Sequence, residues 1–263
     1  MSYHCVIHQE ALCAKVATID NVMTAVVKTI DHIRSNAFKR CQFCALMEQN
    51  EDKHGYFLHS EVRSLSRERI LDRFWEYLPS VLQFMVTQKF SFSTMSISDF
   101  KCILAFLRDI TAQFNVLNKR LQDRRVLVCD LINHITVMKT KLNLNKTYFE
   151  SGNCTHFPTL TKCQPSREML SSFSLIVTVL YDQFDNRFNK FEDLKKHMVF
   201  LCYPFDFDMN DISILKDLEE VNILKAEDEL INFQCDDELR KKHQKKIKMA
   251  LLMKIYFFSS MMS

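Results

Sequence analysis

The side chains best equipped for chemistry in this chain come in short-range pairs. Cys5-x-x-His8 and Cys41-x-x-Cys44 each offer two soft donors at a spacing from which tetrahedral zinc sites are assembled, and Cys154, His156 and Cys163 form a looser third group. The separation between the two tight pairs is far longer than in a compact finger, and a helical stretch lies between them. No shared zinc ion, and no other cofactor, is therefore expected. Asp206-Phe207-Asp208-Met209-Asn210 opens like a calcium-binding loop. Its sixth position is Asp211 where glycine would make the turn, and its twelfth is Asp217 where a glutamate would chelate. The match fails.

Cations are the second group. Arg63, Arg67, Arg69 and Arg73 recur along one stretch, and Arg240-Lys241-Lys242-His243-Gln244-Lys245-Lys246-Ile247-Lys248 is the densest basic run. Such side chains suit phosphate oxygens, so weak DNA contact through Arg63, Arg67, Arg69, Arg73, Lys241, Lys242, Lys245 and Lys246 is one reading. A solvated helix face is the simpler reading of the arginines. A charged helix end, favoured by the macrodipole, accounts for the lysines. The net charge of +3 permits nucleic-acid contact without requiring it.

The elements that must position these groups are helices. Only Gly55 and Gly152 occur among 263 residues, with four prolines, where average usage would supply roughly 18 glycines. Phosphate-cradling loops and tight turns depend on glycine's missing Cβ, so a P-loop, a dinucleotide fold or a turn-rich sandwich is excluded. Apolar residues at three- and four-residue steps predict helices over 9–34 (Leu12, Val16, Ile19, Met23, Val26, Val27, Ile30, Ile33) and 38–48. A third starts with Ser66 as its cap and carries Ile70, Leu71, Phe74 and Leu78, with Pro79 bending or interrupting it. Ser98 or Ser96 caps the next, which carries Ile103 to Leu121. Leu127 to about Glu150 follows, then a loop from Gly152 to Pro165. The longest helix opens at Pro165-Ser166 and runs through Phe173, Phe184 and Phe188 to Leu194. A last helical region runs from Ser213 towards residue 245. Most of the 22 phenylalanines lie on these stripes and read as core.

Two blocks carry a resemblance. Leu58-His59-Ser60-Glu61-Val62-Arg63, followed by Leu65-Ser66-Arg67, is similar to the "LHTEVRWLSRGKVL" block of hAT-superfamily DNA transposases. Cys5-Val6-Ile7-His8-Gln9-Glu10-Ala11-Leu12-Cys13-Ala14-Lys15 resembles their "CIIHQEALCAK" segment, in the same order and at a similar separation. The match is closest to domesticated relatives among the BED-type zinc finger and general transcription factor II-I repeat domain proteins. Cys5, His8, Glu61 and Arg63 are the family motif positions.

The resemblance implies a transposase whose RNase H-like core uses two aspartates and a glutamate to hold divalent metal for phosphoryl transfer. Both aspartates lie upstream of the Cys-x-x-His block in those families, and only Met1 to His4 precede it here. The glutamate belongs to a C-terminal dimerisation region from which residues 247–263 depart. The expectation is a chain without the catalytic triad, and one for which a homodimer is not implied. Glu61 falls at the start of the helical insertion rather than at the metal site. The family's tryptophan, which handles bases near the transposon end, is replaced by Ser64. Serine cannot supply an aromatic stack worth about 1–3 kcal/mol per base.

The expected architecture is mostly α. Residues 1–45 form a helical remnant of the RNase H-like core, 46–246 an all-helical insertion-type domain, and 247–263 a divergent apolar tail. The expected function is a non-catalytic interaction or weak DNA-binding module with unknown protein partners. A transposase subunit acting in trans, or a decayed fragment without a selected role, are the alternatives. No apolar run reaches the roughly 18 residues needed to span a bilayer. His4, His8 and Glu10 stand where a secretory apolar core would, so the protein is not expected to be secreted; the resemblance implies a nuclear location, with the cytoplasm as the alternative.

Overall fold

Each predicted apolar stripe within reach folds as a helix. The computed structural model describes residues 17–50, 64–90, 96–122, 128–188, 204–217 and 222–245, and no strand occurs among them. Contacts divide the chain into two units, residues 1–188 and 189–263.

The first unit contains α1 (Ala17–Arg34), α2 (Ala37–Gln49), α3 (Ser64–Glu76), α4 (Leu78–Thr87), α5 (Ile97–Leu121), α6 (Val128–Glu150), α7 (Pro158–Thr161) and α8 (Arg167–Phe188). Its centre is α5, which packs against α1, α3, α6 and α7, while α6 and α8 pair along their length. The reason is written in Cys102-Ile103-Leu104-Ala105-Phe106-Leu107. A helix that is apolar nearly all round must be buried nearly all round. Within that run only Ile103 is not fully buried.

Around Phe106 the core becomes aromatic. Its ring stacks on Phe173 of α8 at 4.4 Å between centroids and 4° between planes. Phe157 lies on it at 5.6 Å, and Phe149 of α6 sits 4.7 Å from Phe157. Four rings from α5, α6, α8 and the residue before α7 thus fix these elements at one point. Edge-on pairs extend the core outward, with Phe43 against Phe84 and Phe74 against Phe100. Phe38, 66% exposed, and Phe233 are exceptions to the reading of phenylalanine as core, and Val27 of the α1 stripe also faces outward.

Local chemistry sets the helix ends. The Ser96 hydroxyl accepts the Asp99 N–H, so Ser96 rather than Ser98 is the cap of α5. Ser166 accepts from Met169 N–H at the start of α8. Ser66 lies inside α3, because helical backbone extends back to Ser64. At Pro79 the helix is interrupted rather than bent: α3 ends at Glu76, and the proline sits in the first turn of α4, where its missing N–H costs nothing. At the end of α6, Gly152 adopts φ +81° and the Asn153 N–H reaches back to the Tyr148 carbonyl at 2.8 Å. Glycine suits that left-handed position. The same closure after α4 places Lys89 at φ +51°.

Three further expectations are adjusted. The Gly152–Pro165 connection contains the single-turn helix α7, started by Pro158. Among the described residues α5, at 25 residues, is longer than α8, at 22; the predicted continuation to Leu194 lies outside them. So do the first residues of the 9–34 helix. The last helical region is segmented into a 3₁₀ helix (Met209–Asp217), α9 (Ile223–Cys235) and a helix at 237–245. Asn222 caps α9, and Asp236 breaks the run by accepting the Glu238 and Leu239 N–H groups at 2.9 Å. This second unit has its own small core of Phe207, Ile212 and Leu230.

The four-ring cluster makes a direct prediction. Phe106→Ala should lower the unfolding free energy by about 3–5 kcal/mol, as expected for emptying a buried aromatic site. Phe38→Ala should change it by no more than about 0.5 kcal/mol. Urea denaturation followed by circular dichroism measures both, and equal losses would contradict the placement of the core.

Candidate functional site

Converging polar side chains are found where α3, α5 and α7 meet. Asp109 is buried on α5, and one of its carboxylate oxygens accepts the N–H groups of Thr159 and Leu160 at 2.8 and 3.0 Å. Those are orphan donors of the first turn of α7, so the carboxylate caps a helix distant in sequence. Arg108 extends the same network. Its Nε donates to Asp72 of α3 at 2.6 Å and one terminal nitrogen donates to the Thr159 hydroxyl at 2.8 Å. One turn along α3, Glu68 accepts from the Asn115 amide. Asn145 of α6 donates to Gln113 at 2.9 Å. These groups satisfy one another between helices, which leaves an arrangement suited to holding elements together rather than to receiving a substrate.

The zinc candidates disperse. Cys5 and His8 lie outside the described residues, as do Glu61 and Arg63. Cys41 is exposed and Cys44 half-buried on α2. Cys154 lies 3.5 Å from the Thr161 hydroxyl, His156 stacks on Tyr148, and the Cys163 thiol points at the Lys101 and Thr159 carbonyls. Among the described residues no three His, Cys, Asp or Glu side chains converge as a metal set. The residues resembling a calcium loop serve the local backbone instead: the Asp208 carboxylate accepts the Asn210 N–H at 2.9 Å.

The cationic candidates separate as well. Arg67 lies on α3, where the backbone alone is described, Arg69 is exposed, and Arg73 is half-buried with interactions of its own. Glu68, Asp72 and Glu76 interleave with them. In the basic run, Arg240 donates to the Gln234 carbonyl at 2.9 Å and lies over the Phe205 ring, which His243 also approaches at 5.0 Å. Lys242 pairs with Glu238 at 2.9 Å, both exposed. Lys241 and Lys245 share an outward face one turn apart, and neither has an ion-pair partner among the described residues. Lys246 lies outside them. Acidic residues at the start of the 237–245 helix and basic ones at its end match the charged helix end of the simpler reading.

Several interacting groups escaped the sequence reading. Asp109 falls between apolar stripe positions, and only the all-round apolar run beside it signals that a carboxylate there would be buried. His32 stacks on Phe90 at 4.1 Å with a buried Nε2 that finds no hydrogen-bond partner among the described residues. Burial, and secondarily the nearby Lys39 charge, hold its pKa below the ordinary histidine value. No motif marks that contact.

An all-α domain whose converging polar groups bind helix to helix is the class of protein defined by this fold and site. The chain belongs to the FAM200/GTF2IRD2-like family: the model of the FAM200/GTF2IRD2 helical domain matches residues 4–150, more than half of the chain and inclusive of both motif blocks. The family is derived from hAT-type transposases. The chain is 27% identical over 242 residues to general transcription factor II-I repeat domain-containing protein 2 of Bos taurus, covering 92% of this chain and 24% of that protein. It is 28% identical over 245 residues to the protein of that name from Mus musculus, covering 93% and 25%. The chain thus spans about a quarter of the length of the curated relatives it matches. No solved structure matches.

The network predicts an order of mutational cost. Asp109→Ala leaves two buried N–H groups unpaired and should cost about 2–4 kcal/mol. Asp72→Ala removes a half-exposed ion pair and should cost no more than about 1 kcal/mol. Chemical denaturation of both variants tests the ranking, and a reversed order would contradict Asp109 as the cap of α7.

Proposed function

We propose that this chain is a non-catalytic, transposase-derived helical domain whose work is binding, foremost to protein partners. The observation that carries the reading is the fate of its polar chemistry. Asp72, Arg108, Asp109 and Thr159 are engaged with one another between helices, and no metal-ligating triad is present among the described residues. Exposed apolar side chains remain on helix faces, with Leu175 and Val179 one turn apart on α8 and Val137 and Leu144 two turns apart on α6. Apolar side chains turned to solvent at helical spacing suit a partner helix or groove. Within this reading residues 1–45 descend from the helical edge of an RNase H-like core and 46–246 from the insertion domain. The partner is a protein of unknown identity. A nuclear location fits the transcription-factor name of the relatives. No described helix is long and apolar enough to cross a membrane.

Weak DNA contact is the second reading, favoured by the outward Lys241 and Lys245. Its footprint would be small. Two to four phosphate contacts give an affinity that falls with log salt at a slope of roughly −2 to −4.

Titration of fluorescent duplex DNA at increasing salt, with a Mg²⁺ or Mn²⁺ nicking and strand-transfer assay alongside, tests both readings. The expected result is no cleavage, with binding either undetectable or confined to low salt and weakened by Lys241→Ala with Lys245→Ala. Cleavage that co-purifies with the chain and is lost with chelator would overturn the non-catalytic reading. Tight, salt-resistant DNA binding would overturn the priority given to protein partners.

A further inference from the structure

Cys102 and Cys163 are 61 residues apart in sequence yet face each other across α5 and the α7–α8 connection. The Cys163 thiol points at the carbonyl of Lys101, the residue before Cys102, at 3.9 Å, so each thiol is turned towards the other's segment. The Cys102 thiol also points at the Cys163 carbonyl at 3.8 Å, and Cys163 at the Thr159 carbonyl at 3.7 Å. The two segments are held by the Asp109 contacts to Thr159 and Leu160, so the two cysteines are neighbours in a fixed frame rather than by loop motion. Both line an open cleft of about 430 Å³, together with Trp75, Pro79, Lys101 and Lys162. Cys102 is 3% exposed and Cys163 half-buried.

We propose that Cys102 and Cys163 form a reversible two-electron oxidation site, closed to a disulfide by a peroxide that enters the cleft. The more accessible Cys163 reacts first. Its thiolate attacks a peroxide oxygen, the O–O bond breaks, and hydroxide leaves to take up the thiol's proton as water. Cys163 is then a sulfenic acid. The Cys102 sulfur attacks the Cys163 sulfur, the S–O bond breaks, and the departing hydroxide takes the Cys102 proton as a second water. Two thiols lose two protons and two electrons, and hydrogen peroxide is reduced to two waters. Lys101 on the cleft wall favours the anionic Cys163 thiolate, while Asp109 opposes it and Glu76 stands on the same wall.

The reaction is slow at neutral pH, because burial pushes the Cys163 thiol up to about 11 and raises that of Cys102 as well. Only the thiolate reacts, so the rate should rise about tenfold per pH unit between roughly pH 7 and 9. The bond ties α5 to the segment between α7 and α8. By cross-linking distant residues in the unfolded chain, it should raise the melting temperature by several degrees.

The full chain supplies its own reporter, since Trp75 is its sole tryptophan and lines the same cleft. Purified protein is treated with hydrogen peroxide, digested without reduction and analysed by mass spectrometry while tryptophan fluorescence is followed. A linked Cys102–Cys163 peptide, lighter by two hydrogens than its reduced parts, is expected. Quenching that dithiothreitol reverses should accompany it. Both should vanish in Cys163→Ser and in Cys102→Ala; Cys163→Ser alone suffices if the buried Cys102 variant does not fold. Absence of the linked peptide while Cys163 advances to sulfinic acid would overturn the proposal. So would quenching that persists in Cys163→Ser.

Discussion

One constraint organises the first unit: the middle of α5 is enclosed by neighbours, and each polar group buried there must find a partner indoors. An unpaired buried donor or acceptor costs about 1–3 kcal/mol, so each such group dictates the placement of another element. Asp109 draws the amides of Thr159 and Leu160 to itself and thereby sets where α7 begins. Arg108 reaches both Asp72 and Thr159, coupling α3 to α7 through α5. Phe106 does the apolar counterpart of this work by stacking on Phe157 and Phe173. Polar and aromatic contacts issue from neighbouring positions of one helix, which is why short polar connections suffice to order the rest.

The same constraint bears on function. A transposase core would use its carboxylates to hold metal beside a phosphodiester, where charge must stay available for a ligand. Here Asp72, Asp109 and Glu68 are committed to arginine, backbone amides and asparagine. Under the proposed binding role, the energy for a partner has to come from surfaces that the interior has not used. The outward apolar residues of α6 and α8 and the outward lysines of the 237–245 helix are such surfaces. Among the described residues of the basic run the unengaged cations are fewer than the sequence suggests, because Arg240 and His243 turn onto Phe205 and Lys242 pairs with Glu238. Counting charges along a sequence overstates a patch when a helix distributes them over three faces.

Much of the helical order was legible in the residues. The scarcity of glycine excluded turn-rich folds, and period-3.6 stripes located α1, α5, α6 and α8, with Ser96 and Ser166 marking two of the starts. What escaped detection depends on contacts between distant residues. Ser66 resembles a cap but lies inside α3, since a capping side chain acts only where the backbone leaves the helix. The turn of helix at Pro158–Thr161 is too short to show a period and exists because Asp109, 50 residues away, accepts its first amide. The candidate metal ligands were named by spacing alone, and spacing does not reveal that Cys163 packs beside Cys102 while His156 stacks on Tyr148. Family motifs located the chain among transposase-derived proteins, although Glu61 and Arg63, which carry the best-matched block, lie outside the described residues.

Native-state hydrogen exchange tests the enclosure of α5 most directly, because amides at the centre of a cooperative unit exchange only when that unit unfolds. The amides of Leu104 to Leu117, together with those of Thr159 and Leu160, are expected to exchange at one slow rate that follows global unfolding in mild denaturant. Exchange of Thr159 and Leu160 at the rate of an exposed loop, or of α5 through a local opening insensitive to denaturant, would contradict the central place given to this helix and to the carboxylate it carries.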